Sequence, residues 1–363
     1  MFTITYPRRV LAATLLATTL LGGTAAGALA QERDDDQRGD GGAHAVFVQT
    51  NDPTHNQILA YQRSANGTLT LAGTYDTGGR GGQVPGAVVD PLASQNSLVY
   101  DAAHGLLLGV NAGSNTVYSF KIEGNRLSER HVVGSDGVFP ASITVHHNLA
   151  YVLNAEGTGS VHGYRIDDEQ LQPISGSTRS LGLAPVTNFL TSPGQIGFTP
   201  DGQQLVVTTK ANGSHIDVFQ VQSDGRLSAA PKANVSSTPV PFGFTFDPQR
   251  HLVVTEAATS HLSTYALAAD GTLTALDSLS DGQAALCWIV GARGTYYGAN
   301  AGSNSISSFH INAGGHIELL TTTAAGTGPV DMAVSPGGRF LNVQLGGEAK
   351  YRPLPFIPTA ASA

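Results

Sequence analysis

The stretch that decides the fold is NAGSNSISSFHI, residues 300–311, because a close copy, NAGSNTVYSFKI, stands at residues 111–122. Each copy predicts a strand that ends in a tight Asn/Gly/Ser turn, followed by a second strand with alternating apolar side chains. Looser copies begin at residues 51, 154, 210 and 256. A unit that recurs along the whole chain predicts a repeat protein whose units form one continuous body.

Four strands are predicted in each unit. A hairpin turn follows the second strand, as in DGRLS at 224–228 and DGTLT at 270–274, and Asp-Gly supplies the positive φ that such turns need. The Leu or Ile of these turns recurs at steps of 58, 44, 56, 46 and 44 residues. A small, apolar fourth strand precedes the Asn-type strand at 141–146, 195–200, 242–248, 285–291 and 330–336. This period and strand number predict an all-β fold, the β-propeller.

The number of blades is read from the Asn-type strand ends. Seven such ends predict seven blades of four antiparallel strands, the last incomplete or irregular, within residues 43–347. Six blades with one strand left over is the alternative. The strand at 44–50 is expected in the last blade or beside its strands, where it shuts the ring. Residues 348–363 contain three prolines without alternation, which predicts an irregular C-terminal tail.

The N-terminal residues 1–30 have the pattern of a signal peptide. Arg8 and Arg9 precede a short apolar run, and Ala28-Leu29-Ala30 is a small-residue cleavage motif. We therefore expect an exported bacterial protein, secreted or periplasmic; the arginine pair leaves the general and the twin-arginine export routes open. Residues 31–42 are polar and charged, which predicts a disordered acidic leader.

The charge of the mature chain limits its partners. Without residues 1–30 it has 17 basic and 27 acidic residues, a net charge of −10, and no basic cluster. This balance argues against nucleic acid and anionic membranes, and no later stretch is long and apolar enough for membrane insertion. The expected form is a monomer that binds a small molecule. The single cysteine, Cys287, rules out an internal disulfide.

Two units are longer than the others. The first has extra residues around 82–96, and the third has extra residues around 176–191. Insertions of this kind usually lie on one rim of a propeller, where ligands bind. We therefore expect both insertions near a binding face.

The repeated N-A-G-S-N turn, S-x-S-x-F strand and D-G-x-L-T hairpin resemble the seven-bladed propeller lactonase family over roughly residues 44–347. That family includes propeller-type 6-phosphogluconolactonases and carboxymuconate cyclases. The resemblance implies lactone hydrolysis by His, Arg and Glu residues on one face. The His-containing motif of those enzymes has no match here, and the nearest candidate, His146-His147, lies in a strand-end turn. The chain looks most like an exported, uncharacterised branch of the family.

Candidate catalytic residues are the strand ends that break the pattern of the repeat. Lys210 and Glu256 stand where other units have Asn. A carboxylate at the mouth of a propeller acts as a general base on water, and a cation holds a lactone oxygen. Arg179, in the second insertion, is expected to reach the same mouth. The alternative is a structural Lys–Glu pair that fills a polar channel.

The unchanged strand ends Asn111, Asn154 and Asn300 are candidates for substrate binding. Their simpler interpretation is structural, because Asn next to Gly takes a positive φ and bonds its own turn. No cofactor is expected, although Glu256, Asn154 and Asn300 offer the oxygen ligands that calcium prefers. Cys287, beside the only tryptophan, is interpreted as core packing. Metal-ligand spacing, a nucleotide-binding glycine loop and G-x-S-x-G are all missing from the sequence.

Two functions follow from these observations. The leading hypothesis is a lactonase-like hydrolase in which Glu256 activates water while Lys210 and Arg179 bind the oxygens of the substrate. The competing hypothesis is a non-catalytic extracellular binding or scaffold propeller. The hydrolase requires that Lys210, Glu256 and Arg179 converge on one cavity.

Overall fold

The turns and alternating strands of the sequence form an all-β molecule. The computed structural model describes residues 44–335, 338–348 and 350–355, so the expected signal peptide and leader lie outside this part. Over the described residues the secondary structure is 27 β-strands and one short 3-10 helix, Ala112–Ser114. No helix in that part of the chain is long and apolar enough to cross a membrane.

Consecutive strands pair into seven antiparallel sheets within the described residues. The first three sheets are β1 (His44–Gln49), β2 (Gln57–Arg63) and β3 (Leu69–Asp76); β4 (Leu98–Asp101), β5 (Leu106–Asn111), β6 (Thr116–Glu123) and β7 (Arg126–Gly134); and β8 (Pro140–His146), β9 (Leu149–Asn154), β10 (Ser160–Asp167), β11 (Gln170–Pro173) and β12 (Arg179–Ser180).

The last four sheets continue the same order. They are β13 (Gln195–Phe198), β14 (Gln204–Thr208), β15 (His215–Gln220) and β16 (Lys232–Val235); β17 (Pro241–Phe246), β18 (Leu252–Glu256), β19 (His261–Leu267) and β20 (Leu273–Ser280); β21 (Leu286–Ala292), β22 (Thr295–Asn300), β23 (Ser305–Ile311) and β24 (Ile317–Ala324); and β25 (Pro329–Val334), β26 (Phe340–Leu345) and β27 (Lys350–Pro355). The β-propeller with an incomplete last sheet is thus confirmed.

The hairpin turns lie where Asp-Gly predicts them. Gly225 and Gly271 have φ angles of 83° and 86°, in the region that costs other residues about 1 kcal/mol or more and glycine little. The N–H of Gly271 donates to the carbonyl of Ala268 at 2.9 Å and closes the turn between β19 and β20. Local turn chemistry therefore sets the strand order within each sheet.

The small apolar strands are the first strands of their sheets, as predicted. β8, β13, β17, β21 and β25 match the five predicted segments within one or two residues at each end. Strand β4 was not predicted, because its sequence, LVYD, is short and partly polar. The hydrophobic core lies between neighbouring sheets: Leu108 and Val110 of the second sheet pack with Ile143 and Val152 of the third in one cluster.

The ring is shut by side-chain contact between the first and the last sheet. Strand β1 pairs with β2 and not with the last sheet among the described strands. The guanidinium of Arg63 lies over the ring of Phe340, 4.6 Å from its centroid. The first strand therefore belongs to a sheet of its own, and the expectation that it lies in the last blade is wrong; the contact with the last sheet comes from β2.

The C-terminal tail differs from its prediction. Residues Lys350–Pro355 form β27, which pairs antiparallel with β26 along its whole length. The prolines at 353 and 355 are compatible with this strand because β27 is the edge strand of its sheet. Half of the backbone N–H groups of an edge strand face away from the sheet and need no partner, so proline can stand there.

The first insertion, residues 82–96, crosses the mouth of the propeller. The side-chain amide of Gln95 donates from Nε2 to the carbonyl of Ile289 at 2.9 Å and accepts at Oε1 from its N–H at 2.9 Å. The backbone N–H of Gln95 donates to the carbonyl of Gly194 at 3.0 Å. Ser94 Oγ donates to the carbonyl of Ala141 at 2.8 Å. One segment therefore contacts the third sheet, the start of the fourth and the sixth, which is not a neighbour of either.

Candidate functional site

The strand-end asparagines are buried inside their sheets. Asn111 Oδ1 accepts from Thr77 Oγ1 at 2.7 Å, and Asn300 Nδ2 donates to Ser307 Oγ at 2.9 Å. Asn154 Nδ2 donates to the carbonyl of Ser135 at 3.0 Å. All three side chains are fully buried. These bonds tie the end of the strand to neighbouring loops, and the structure does not place the three residues in the walls of the two cavities described below.

Glu256 occupies the same strand-end position as these asparagines, and its side chain is likewise buried inside its sheet. Its Oε2 accepts from Thr238 N at 3.0 Å, from Thr238 Oγ1 at 2.7 Å and from Ser263 Oγ at 2.7 Å. Its Oε1 accepts from the hydroxyl of Tyr265 at 2.5 Å. This hydrogen bond, the charge of Glu256 and above all burial raise the pKa of Tyr265. Glu256 is fully buried, so its carboxylate is a partner of its own sheet.

Lys210 lies one residue beyond the strand-end position that the sequence repeat assigned to it. Thr208 pairs with Ile216, which leaves Thr209 opposite His215, in the place where Glu256 pairs with His261 and Asn300 with Ser305. Thr209, not Lys210, is therefore the strand-end residue of the fourth sheet. In four other units the next residue is Ala, including Ala257 and Ala301. The interpretation of Lys210 as a changed Asn is wrong by one position.

This shift directs Lys210 into the mouth. Its backbone is left-handed, with a φ of 51°. Its Nζ donates to the carbonyl of Ala93 at 2.7 Å and to Ser192 Oγ at 2.8 Å, and lies 5.1 Å from the ring centroid of Phe242. Burial lowers the pKa of Lys210 to about 7, against the opposing effect of Asp90.

A cavity of about 500 Å³ lies beside this lysine. Both insertions contribute to its wall, and the remainder comes from the fourth, fifth and sixth sheets. Its charged lining groups are Lys210 and Asp90, and the other lining residues are Ala87, Val88, Val89, Ala93, Phe189, Leu190, Val240, Phe242, Ala257, Ala258, Ala285, Cys287, Trp288, Ala301 and Gly302. Its size is that of a small-molecule site.

Asp90 is held in place by its own loop. Its Oδ1 accepts from the N–H of Leu92 at 3.1 Å, and its Oδ2 accepts from the N–H of Ser94 at 2.9 Å. The side chain is 9% exposed and lines the cavity. The insertion was predicted to form part of a binding rim, but Asp90 was not among the candidate residues. The signal that could have identified Asp90 is its position next to Pro91 in the longest insertion.

Cys287 and Trp288 are both buried, as the packing interpretation predicts, and they also form part of the cavity wall. Burial raises the pKa of Cys287 to about 12, so its thiol is protonated at neutral pH and is a poor nucleophile. Trp288 Nε1 donates to the carbonyl of Ser94 at 2.9 Å. Its ring meets that of Phe242 edge-on at 4.9 Å.

The expected convergence of Arg179 with Lys210 and Glu256 does not occur. Arg179 lies on β12, at the outer side of the third sheet, and its guanidinium donates to the carbonyls of Leu227 and Ser228 in the next sheet. These bonds join two outer edges. His146, at the end of β8, packs its ring against Phe198 at 5.7 Å, and it too lies outside the cavity wall.

A second cavity, of about 390 Å³, lies on the other side of the first insertion. It shares Val88, Val89 and Asp90 with the first cavity, and its wall is more polar. Gln49, Ser97 and Gln344 are among its lining residues, and the buried atoms Gln49 Nε2, Ser97 Oγ and Gln344 Oε1 have no hydrogen-bond partner within the described residues. The mouth is thus divided into an apolar and a polar cavity.

The residues considered for calcium make local bonds. Glu256, Asn154 and Asn300 belong to three different sheets, and the two Glu256 oxygens accept from hydroxyls and an N–H of their own region. Over the described part of the chain, no group of three or more His, Cys, Asp or Glu side chains is placed to hold a metal ion.

The fold and the site define the class of protein, a β-propeller with a cavity of small-molecule size at its mouth. The sequence pattern of the family described as "Lactonase, 7-bladed beta-propeller" matches residues 87–345, more than half of the chain. The chain therefore belongs to the lactonase family of β-propellers. No curated protein sequence matches it.

Solved structures with the same fold are distant in sequence. A periplasmic gluconolactonase of Pseudomonas aeruginosa is 17% identical, with a TM-score of 0.62, over 87% of this chain and 96% of that one. A protein of Bacteroides fragilis, named as a candidate 6-phosphogluconolactonase, is 16% identical, with a TM-score of 0.62, over 79% and 83%. A streptogramin B lyase is 14% identical, with a TM-score of 0.55, over 83% and 87%. At these identities the likeness concerns the fold alone.

Proposed function

We propose that the chain hydrolyses a lactone in the mouth cavity, with Lys210 and Asp90 as the reacting groups. The observation that carries the proposal is the placement of one buried lysine and one aspartate in the wall of a single cavity. Membership in the lactonase family supports the reaction. The gluconolactonase of similar fold is consistent with it.

Lys210 is assigned to the lactone carbonyl oxygen. Two of its three N–H bonds donate to Ala93 O and Ser192 Oγ, which fixes the position of Nζ. We assign the third to a ligand in the cavity that Lys210 lines. Negative charge develops on the carbonyl oxygen when water adds, and a fixed cation stabilises it strongly where little water is present.

Asp90 is assigned to water activation. In the proposed reaction the water oxygen bonds to the carbonyl carbon while Asp90 takes one water proton. The ring carbon–oxygen bond then breaks, and the proton passes to the departing alkoxide oxygen. The product is a hydroxy acid, and no oxidant or reductant is needed. The two backbone N–H bonds leave further lone pairs of Asp90 for the water.

Glu256, the base expected from the sequence, competes for this assignment. Its oxygens already accept four hydrogen bonds, and it is fully buried. A general base needs an oxygen within reach of the water, which these contacts disfavour. Our proposal therefore gives Glu256 a supporting role.

Initial rates of a lactone panel test these assignments. We expect Lys210→Met and Asp90→Asn to lower kcat/KM about 100-fold or more, since oxyanion donors and general bases contribute on that scale. Glu256→Gln should remain within about threefold of the parent, because the amide oxygen keeps most of its donors. A selective loss in Glu256→Gln would return the base role to Glu256. Unchanged rates in Lys210→Met would contradict the proposal.

A non-catalytic binding or scaffold propeller is the second candidate. The apolar character of most of the cavity wall favours it, because such a wall supplies few groups for chemistry. Saturable ligand binding without turnover of any lactone in the panel would support this candidate over the hydrolase.

We further propose that the chain acts outside the cytoplasm as a monomer. The sequence of residues 1–30 supports export. Bacterial expression of the full chain should yield a mature protein that begins at Gln31, as measured by intact mass. Replacement of Arg8 and Arg9 by Lys tests the twin-arginine route, which would be blocked. A mass that retains residues 1–30 would contradict export, and a dimer in size-exclusion chromatography would contradict the monomer.

A further inference from the structure

We infer that the mouth cavity takes an uncharged lactone with an apolar substituent, such as an alkyl chain, and not a hydroxylated or phosphorylated sugar lactone. That the ligand contains a lactone ring rests on the proposed function. That its substituent is apolar rests on the lining of the cavity.

The entrance of the cavity is apolar. Val88, from the first insertion, is 86% exposed, and Leu190, from the second, is 45% exposed. They are two of six large hydrophobic side chains exposed in the described part of the chain, and both line this cavity. Exposed apolar groups that gather at one opening mark a binding site for apolar ligands.

The interior continues this character. Phe189, Phe242 and Trp288 supply rings, and alanines such as Ala257 and Ala301 keep the wall open where the repeat places a small residue. Hydroxyl groups of a sugar would lose their water here without regaining hydrogen bonds, at a cost that disfavours binding. A phosphate would find Lys210 as its cation, with two of the three N–H bonds of Nζ already used.

The polar cavity on the other side of the first insertion strengthens the assignment. Polar residues such as Gln49, Ser97 and Gln344 are part of its lining, whereas the cavity beside Lys210 has an apolar wall. A hydroxylated ligand would find partners in the second cavity, so polarity separates the ligand classes of the two cavities.

The only tryptophan of the chain, Trp288, is a reporter built into the wall. The probes are 2-alkylcyclopentanones with chains of two to eight carbons, which keep a ring carbonyl and cannot be hydrolysed. Their binding should change Trp288 emission, and the Kd should fall about fourfold per added methylene until the cavity is full, because each buried methylene contributes about that factor.

Matched variants locate the effect. Ala257→Phe fills the cavity and should weaken binding of the best probe at least tenfold. Ala233→Phe, the same change on an exposed residue of β16 far from the cavity, should leave the Kd unchanged. Thermal melting of both variants checks folding, and the chain-length series in the parent protein tests the inference without any variant.

The outcomes separate this inference from the proposed function. A Kd independent of chain length, or an Ala257→Phe variant that folds and binds as the parent does, overturns the inference. Efficient hydrolysis of glucono-δ-lactone, with no gain for alkyl lactones, overturns it while leaving the hydrolase intact. Chain-length-dependent binding without hydrolysis of alkyl lactones would remove the hydrolase and retain the apolar site.

Discussion

Lys210 and Glu256 lie at the ends of corresponding strands in neighbouring sheets, and their side chains have opposite surroundings. Glu256 is turned into the wall of its sheet, where hydroxyl groups and an N–H donate to it. Lys210 is turned into the mouth, where it contacts both insertions and lines a cavity. The two residues differ by one position in the register of the repeat, and consecutive residues of a strand face opposite sides.

Truncation of Glu256 should have the largest effect on stability. Glu256→Ala leaves the part-buried N–H and hydroxyl of Thr238 and the buried hydroxyl of Tyr265 without their acceptor, whereas Ser263 Oγ keeps its bond to Ser278. We expect the free energy of unfolding to fall by about 3–5 kcal/mol. Urea denaturation measures the change, with Glu256→Gln as the milder control. A loss below about 1 kcal/mol for Glu256→Ala would show that these bonds do not hold the wall together.

Because of Lys210, the free energy of unfolding should depend on pH, and the Glu256→Gln variant should show the same dependence. In the folded protein the pKa of Lys210 is lowered to about 7. Between pH 7 and 10 this lysine therefore binds more protons in the unfolded chain than in the folded chain. The free energy of unfolding contributed by Lys210 therefore rises with pH in this window, by about 3 kcal/mol.

The variant Lys210→Met tests this expectation. Its free energy of unfolding should lack that rise, so the difference between variant and parent is largest near pH 7 and shrinks towards pH 10. Denaturation at pH 7, 8.5 and 10 measures it. Parallel curves for the two proteins would mean that Lys210 is solvated.

Asn300 is the uncharged residue at the strand-end position with which the effect of Glu256 is compared. Asn300→Ala removes two hydrogen bonds from Nδ2 to Ser305 and Ser307. Both hydroxyls keep other partners, Gln283 and Asp281, so the expected loss is about 1–2 kcal/mol. Catalytic rates should not change. A loss as large as that of Glu256→Ala would erase the difference between the neutral and the charged strand end.

Arg179 should have the smallest effect. Arg179→Met removes bonds to carbonyls at the partly exposed outer edge of the third and fourth sheets, and we expect a loss of about 1 kcal/mol. Lactone turnover should stay at the parental level. A reduced kcat/KM with unchanged stability would place Arg179 in the reaction, as the sequence analysis expected.

The fold was predictable because its determinants are local and repeated. Turn residues such as Gly271 fix the hairpins, and the alternation of apolar residues fixes which faces are buried. Each signal recurs along the chain, so errors in single units do not change the outcome. The short β4 and the proline-bearing β27 were missed because the signal within one element is weak there.

The site was less predictable, because its parts are distant in sequence. The prediction that an insertion forms part of a binding rim was useful, since residues 82–96 supply Asp90 and a wall of the cavity. Glu256 was chosen as a charged strand end and Arg179 for its place in the second insertion, and neither criterion shows where a side chain points. Burial among donors and the outer position of β12 depend on packing between sheets, which no pattern within one repeat contains.

The sequence by itself determined the repeat, the strand order within each sheet and the small residues that keep the mouth open. Only the tertiary structure decided which charged side chain enters that mouth. The pairing of Thr208 with Ile216 moves Lys210 one place past the strand end, and its left-handed backbone directs it towards Ala93. Ala93 lies more than one hundred residues earlier in the chain, so this contact exists only when the ring has closed.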